Sequence, residues 1–101
     1  MDPAVPDQIS ISDVVISTAG HDRGQLFYVV AADDIWVMLA DGKGRTLDKP
    51  KRKKRKHVQM VLRSETRVAA KLTDGDKVLN SELRRDLAFF AREMQANNLG
   101  G

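Results

Sequence analysis

Between residues 13 and 62 the strand-like runs follow one another too closely for any crossover helix, and that spacing constrains the fold more than any other feature. The runs are Val14-Val15-Ile16-Ser17, Gln25-Leu26-Phe27-Tyr28-Val29-Val30, Ile35-Trp36-Val37-Met38-Leu39, a short Lys43-Gly44-Arg45-Thr46-Leu47, and His57-Val58-Gln59-Met60-Val61-Leu62. β-branched and aromatic residues favour the pleated surface of a strand. Turn signals separate the runs: a loop with glycines at 20 and 24, the pair Asp33-Asp34, and Asp41-Gly42. Parallel neighbours need a connection of a dozen or more residues, usually a helix. The spacing therefore predicts an antiparallel sheet, closed into a small barrel.

Beyond residue 63 the pattern changes from period two to a helical period. Ser64 is placed to cap a short helix over residues 65–72, with Val68 and Leu72 one turn apart on one face. Thr73-Asp74-Gly75-Asp76 interrupts it. Asn80 or Ser81 begins a longer helix to about Gln95, with Glu82 in the first turn, where the helix dipole favours an acid. Leu83, Leu87, Phe90 and Met94 make one apolar stripe, and Arg84, Arg85 and Arg92 lie off it. The predicted organisation is a flexible tail over 1–11, a barrel over 12–63 carrying a basic loop at 49–56, a helical appendage over 64–96 packed on the barrel, and a frayed end over 97–101. Trp36 and Phe27 read as core, Tyr28 is left open between core and surface, and Phe89 is off the stripe and available to a partner protein.

Charge is distributed unevenly. The window 43–56 holds nine cations (Lys43, Arg45, Lys49, Lys51, Arg52, Lys53, Lys54, Arg55 and Lys56) and one acid, Asp48, a net of +8. The whole chain is +3, so everything outside the window sums to −5. An acidic body with a basic prong points to a polyanionic partner. Crowded cations repel one another, which predicts an extended, mobile segment until phosphates order it. Three partners fit such a run: nucleic acid, a nuclear-import receptor reading Pro50-Lys51-Arg52-Lys53-Lys54-Arg55-Lys56, and an anionic membrane surface. The membrane is disfavoured because no apolar face accompanies the charges.

Other chemistry is poorly supported. Without cysteine the chain has no disulfide and no thiolate metal site. His21 and His57 are far apart, no acidic cluster has metal-ligand spacing, and no serine sits in a nucleophile elbow. Gly42-Lys43-Gly44 lacks the glycine spacing of a phosphate loop. The acidic, proline-broken start is unlike a signal peptide, and the apolar runs fall far short of the ~20 residues that span a bilayer. A non-catalytic cytoplasmic monomer without cofactor or metal is the expectation. A second candidate site is the 20–24 loop, where His21 and Arg23 flank Asp22 and a backbone N–H can meet a phosphate. An ordinary solvated turn explains that loop equally well.

From Val14 to Val30 the chain resembles a KOW motif: a β-branched strand, a loop with a central glycine, and a second strand. With the Ile35-to-Leu39 strand, the Asp41-Gly42 turn, the Lys-rich run and the His57-Val58 strand, residues 12–62 resemble the large-subunit ribosomal protein family numbered fourteen in archaea and eukaryotes. They are also similar to the small KOW-domain RNA-binding proteins of Gram-positive bacteria. The resemblance implies an SH3-like barrel that binds ribosomal or other structured RNA without catalysis. Gly24 matches the family's central glycine, Gly20 the glycine opening the loop, and Arg23 the basic residue before the central glycine. The cations from Lys49 and Lys51 to Lys56 match the basic segment ahead of the last strand, which His57 starts. The chain departs from many KOW motifs in carrying Leu26 and Phe27 where they have a further glycine. The expected function is RNA binding, most directly to ribosomal RNA, and the rival is a protein-interaction module working through the C-terminal helix and the barrel edge.

Overall fold

A computed structural model describes residues 8–100, with side chains described as far as residue 96. The predicted tail at residues 1–7 and the terminal Gly101 lie outside the described residues. Five strands run β1 Asp13–Ser17, β2 Leu26–Ala32, β3 Trp36–Ala40, β4 Lys51–Lys54 and β5 Val58–Arg63, and two helices follow, α1 Arg67–Asp74 and α2 Asn80–Gly100. The strands form one antiparallel sheet in the order β4-β3-β2-β1-β5. A single 3-10 turn, Arg55–His57, joins the two edge strands β4 and β5.

That connection dictates the sheet's shape. In a flat sheet the four intervening spacings would hold β4 and β5 at least ~19 Å apart. Four residue steps from Lys54 to Val58 reach at most ~14 Å. The sheet therefore curls, bringing its edges toward each other. Inside the curl Val15, Phe27, Val29, Val37, Leu39 and Val58 form a buried cluster, with Ile9 from the preceding segment. Ile9, which falls within the tail predicted over 1–11, is thus buried.

The opposite face of the sheet carries the helices. Val14, Tyr28 and Ala40 lie in register across β1, β2 and β3 and pack against Val68, Ala69 and Leu72 of α1 and Leu83 and Leu87 of α2. The apolar stripe of α2 faces the sheet as its spacing predicts, with Phe90 half-buried on the same cluster. Tyr28 is fully buried, and its hydroxyl donates to Asp86 Oδ2 at 2.7 Å, with Ser64 Oγ at 2.8 Å. Burial and the Asp86 carboxylate push that hydroxyl up to about 12, against opposing hydrogen bonds from Ser64 and Thr66. One phenol thus links the sheet to both helical segments.

Local details depart from the sequence expectation for identifiable reasons. Thr66 rather than Ser64 caps α1, its hydroxyl accepting from the Ala69 N–H at 3.2 Å. The helix ends on Gly75 at φ 77°. The helix α2 continues to Gly100, past the expected end near residue 95. Its start is fixed by Glu82, which accepts from the Leu79 N–H at 2.9 Å and from Lys71 at 2.9 Å. The predicted short strand at 43–47 is a turn instead. The Asp41 carboxylate accepts the backbone N–H groups of Lys43 and Arg45, both at 2.9 Å, which curls that backbone away from a ladder. Gly42, at φ 78°, abuts the Asn80 carbonyl so closely that a Cβ there would collide with it.

Candidate functional site

The basic run is ordered, and half of it is a strand. Where a loop is expected over 49–56, residues 51–54 form a strand instead: β4 pairs along β3, and each of its faces supplies something that offsets cation repulsion. Successive strand residues point to opposite faces. The register Leu39↔Lys51 and Val37↔Lys53 sends two cations to the inner face, and Met38↔Arg52 and Trp36↔Lys54 sends two to the outer face.

On the inner face Lys53 is only 8% exposed. Its ammonium donates to Asp22 Oδ1 at 2.6 Å, Ser17 Oγ at 2.9 Å and the Ala19 carbonyl at 2.7 Å. Three donors meet three acceptors, which is what makes a buried lysine tolerable. Ser17 Oγ also donates to Asp22 Oδ1 at 2.7 Å. Lys51 Nζ lies 3.1 Å from Asp22 Oδ2, an ion pair without full hydrogen-bond alignment. Burial opposes ionisation of Asp22, but the hydrogen bonds of Lys53 and Ser17, the Lys51 ammonium beside it and the charge of Lys53 outweigh it. They hold the carboxyl well below the usual carboxylate range. Asp22 is thus the counter-charge that folds the basic strand against the β1–β2 loop.

That loop is shaped by glycines at φ 89° (Gly20) and φ 90° (Gly24), both in the left-handed region. Its backbone donors are spent internally: Arg23 N–H on Gly20, Gly24 N–H on Ser17 and Gln25 N–H on Asp22. The backbone N–H groups of residues 23–25 are thus engaged within the protein. The side chains of His21 and Arg23 remain exposed. His21 joins Arg45, Lys51, Gln25 and Phe27 around an open cleft of about 270 Å³, with Asp22 and Asp41 on its walls.

On the outer face Arg52 and Lys54 are exposed and flank Trp36. The Arg52 guanidinium carbon lies 4.2 Å from the indole centroid and Lys54 Nζ 5.7 Å from it, both within cation–π range. Trp36 is half-buried and belongs to neither buried cluster among the described residues. Its expected core role is corrected: the helices cover this face around Ala40 and Tyr28 and leave the Trp36 end of β3 open. Phe27, by contrast, is core at 1% exposure.

The remaining sequence-predicted residues divide by burial. Lys43, Arg45, Lys49 and Lys56 are exposed. Arg55 is half-buried and structural, its Nε donating to the Asp33 carbonyl at 2.6 Å and a terminal nitrogen to the Ile9 carbonyl at 2.7 Å. His57 is half-buried, and its carbonyl accepts the Thr18 N–H at 2.9 Å. Among the described residues no cluster of three or more His, Asp or Glu is placed to hold a metal, and no helix is long and apolar enough to cross a membrane. Sequence reasoning missed Ser17 and the pairing role of Asp22; the lone acid between two loop glycines was the available signal. No protein-family model matches the chain, and no curated protein is similar to it.

Proposed function

We propose that this chain binds structured RNA, ribosomal RNA in the first place, as a monomeric cytoplasmic protein that associates with the ribosome and catalyses nothing. The observation that carries the reading is the set of exposed cations Lys49, Arg52, Lys54 and Lys56 on and beside the ordered strand β4 and the turn after it, on an otherwise acidic body. Charges carried on an ordered strand recognise a phosphate backbone without that strand having to order first. Arg45, exposed at the cleft beside His21, and the exposed Arg23 and Lys43 add further cations, while Lys51 at the same cleft is held by Asp22. The curled five-stranded sheet, with left-handed glycines at 20 and 24, is in keeping with the SH3-like barrel of the KOW group. A-form RNA hides its major groove, so recognition falls on backbone and shape.

The test is a titration of a labelled ribosomal RNA fragment across salt concentrations. Micromolar or tighter binding is expected, with each neutralised phosphate adding roughly 0.7 to 0.9 to the slope of log K against log salt. Binding that ignores salt, or that survives neutralisation of Lys49, Arg52, Lys54 and Lys56 together, contradicts the reading. One observation favours a second function. Phe89 is 50% exposed on α2 and stacks edge-on against Phe90 at 5.8 Å, an apolar contact suited to a partner protein. Capture of a protein partner that persists after nuclease and high salt, and is lost in Phe89→Ala, would favour it.

A further inference from the structure

We propose that the open end of the helix-bearing face is a stacking site for one unpaired nucleobase, with Trp36 as the platform and Arg52 and Lys54 as clamps on the flanking phosphates. The inference rests on the RNA reading of the same strand and adds to it: phosphate contacts alone make the partner a duplex backbone, whereas this site requires a base out of its stack. Three observations converge. Trp36, Met38 and Ala40 share one face of β3, but only Ala40 is covered by the helices. The indole is therefore the one aromatic surface on the uncovered end of that face of β3, and Ala31, opposite Met38, adds no bulk beside it. The flanking positions Arg52 and Lys54 both hold cations within cation–π distance, with Lys54 directly across from Trp36.

A partly buried tryptophan on a β-surface, bracketed by two cations, matches what an unpaired nucleotide needs. The ring accepts any base, because every base has a π-face, and the cations meet the phosphates on either side. In the free protein Arg52 covers the indole and keeps water from it. When a base arrives, it takes over that ring face and the guanidinium turns to a phosphate oxygen, which it can hold with two parallel N–H donors. Lys53, between the two clamps, faces inward onto Asp22 and fixes the spacing of its neighbours.

Trp36 is the chain's single tryptophan, so its fluorescence reports on this site alone. Two probes separate stacking from charge: a single-stranded RNA octamer, and a sugar-phosphate octamer of the same length with every base removed. The wild-type protein is expected to bind the octamer on the order of tenfold more tightly than its abasic counterpart, with quenching of Trp36 by the base-bearing strand. Trp36→Leu is expected to bind both equally, at the abasic level, and Trp36→Phe to fall between. Equal binding of the two probes by the wild type, or a preference for bases that survives Trp36→Leu, overturns the stacking site and leaves phosphate binding intact. Failure of both probes and of the ribosomal RNA fragment to bind overturns the stacking site together with the RNA reading.

Discussion

Lys53 and Lys54 adjoin in the chain and do opposite work in the fold. Lys53 points into the curl of the sheet, where Asp22, Ser17 and the Ala19 carbonyl take all three of its protons. Lys54 points outward, where it meets solvent and the ring of Trp36. The same side chain is a structural tie in one position and a free charge in the next, because a strand reverses its faces at every residue. The difference teaches that a polybasic run cannot be counted as one binding site. Its outer residues, with Lys49 and Lys56, are available to a polyanion; Lys53 and Arg55 are committed to holding the strand and the Arg55–His57 turn in place. Outward-facing charges also protect β4, an edge strand, from pairing with other chains.

The sharpest way to break this division is to remove the shared counter-charge. Asp22→Ala leaves the Lys53 ammonium buried without its carboxylate, and a broken buried pair costs about 3 kcal/mol at the low end of its range. For a domain of this size that corresponds to a fall in Tm of roughly 12–24 °C, measurable by thermal unfolding. The same carboxylate predicts a pH dependence. Its folded pKa lies below the ordinary value of 3.8, so its stabilisation is complete at neutral pH and drains away as pH falls below that value. The gap in stability between wild type and Asp22→Asn should therefore be widest near pH 7 and narrow toward pH 2. A gap that stays constant would show that the carboxylate does not carry the effect.

Next in size is the outward pair. Arg52→Gln with Lys54→Gln should leave Tm within a degree or two and lower the salt slope by roughly 1.4–1.8, which at 0.15 M salt is a 10- to 30-fold loss of RNA affinity. A fall in Tm comparable to that of Asp22→Ala would erase the distinction between the faces. Smaller still is Arg55→Lys. It keeps the charge but loses the forked geometry that reaches both the Asp33 and Ile9 carbonyls. A loss of about 1 kcal/mol in denaturant unfolding is expected, with RNA affinity unchanged. Lost affinity without lost stability would move Arg55 to the binding side of the comparison.

The sequence made some of this legible and hid the rest for physical reasons. Strands β1, β2, β3 and β5 follow from β-branched patterning, and the stripe Leu83, Leu87, Phe90 and Met94 marks which face of α2 is covered. The strand β4 was invisible as a strand because a uniform row of cations has no hydrophobic period to separate inward from outward. Only the register against Val37 and Leu39, and the placement of Asp22 by the glycine loop, decides that Lys53 is buried. Trp36 misled for a related reason. An aromatic in a strand usually packs, but whether this one does depends on how far α1 and α2 extend over the sheet, which no local pattern records. The turn at 43–47 was lost to a single side chain, since Asp41 captures two backbone N–H groups that a strand would have used.

Two single substitutions compared side by side test the central claim most directly. Lys53→Met and Lys54→Met remove the same charge from adjacent residues, and each variant is read by thermal unfolding and by ribosomal RNA binding at 0.15 M salt. Lys54→Met should keep its Tm and lose affinity about four- to fivefold, the worth of one phosphate contact. Lys53→Met should lose roughly 10 °C or more in Tm and, measured well below its transition, keep its affinity within about twofold. Equal losses of affinity in the two variants, with equal stability, would contradict the account.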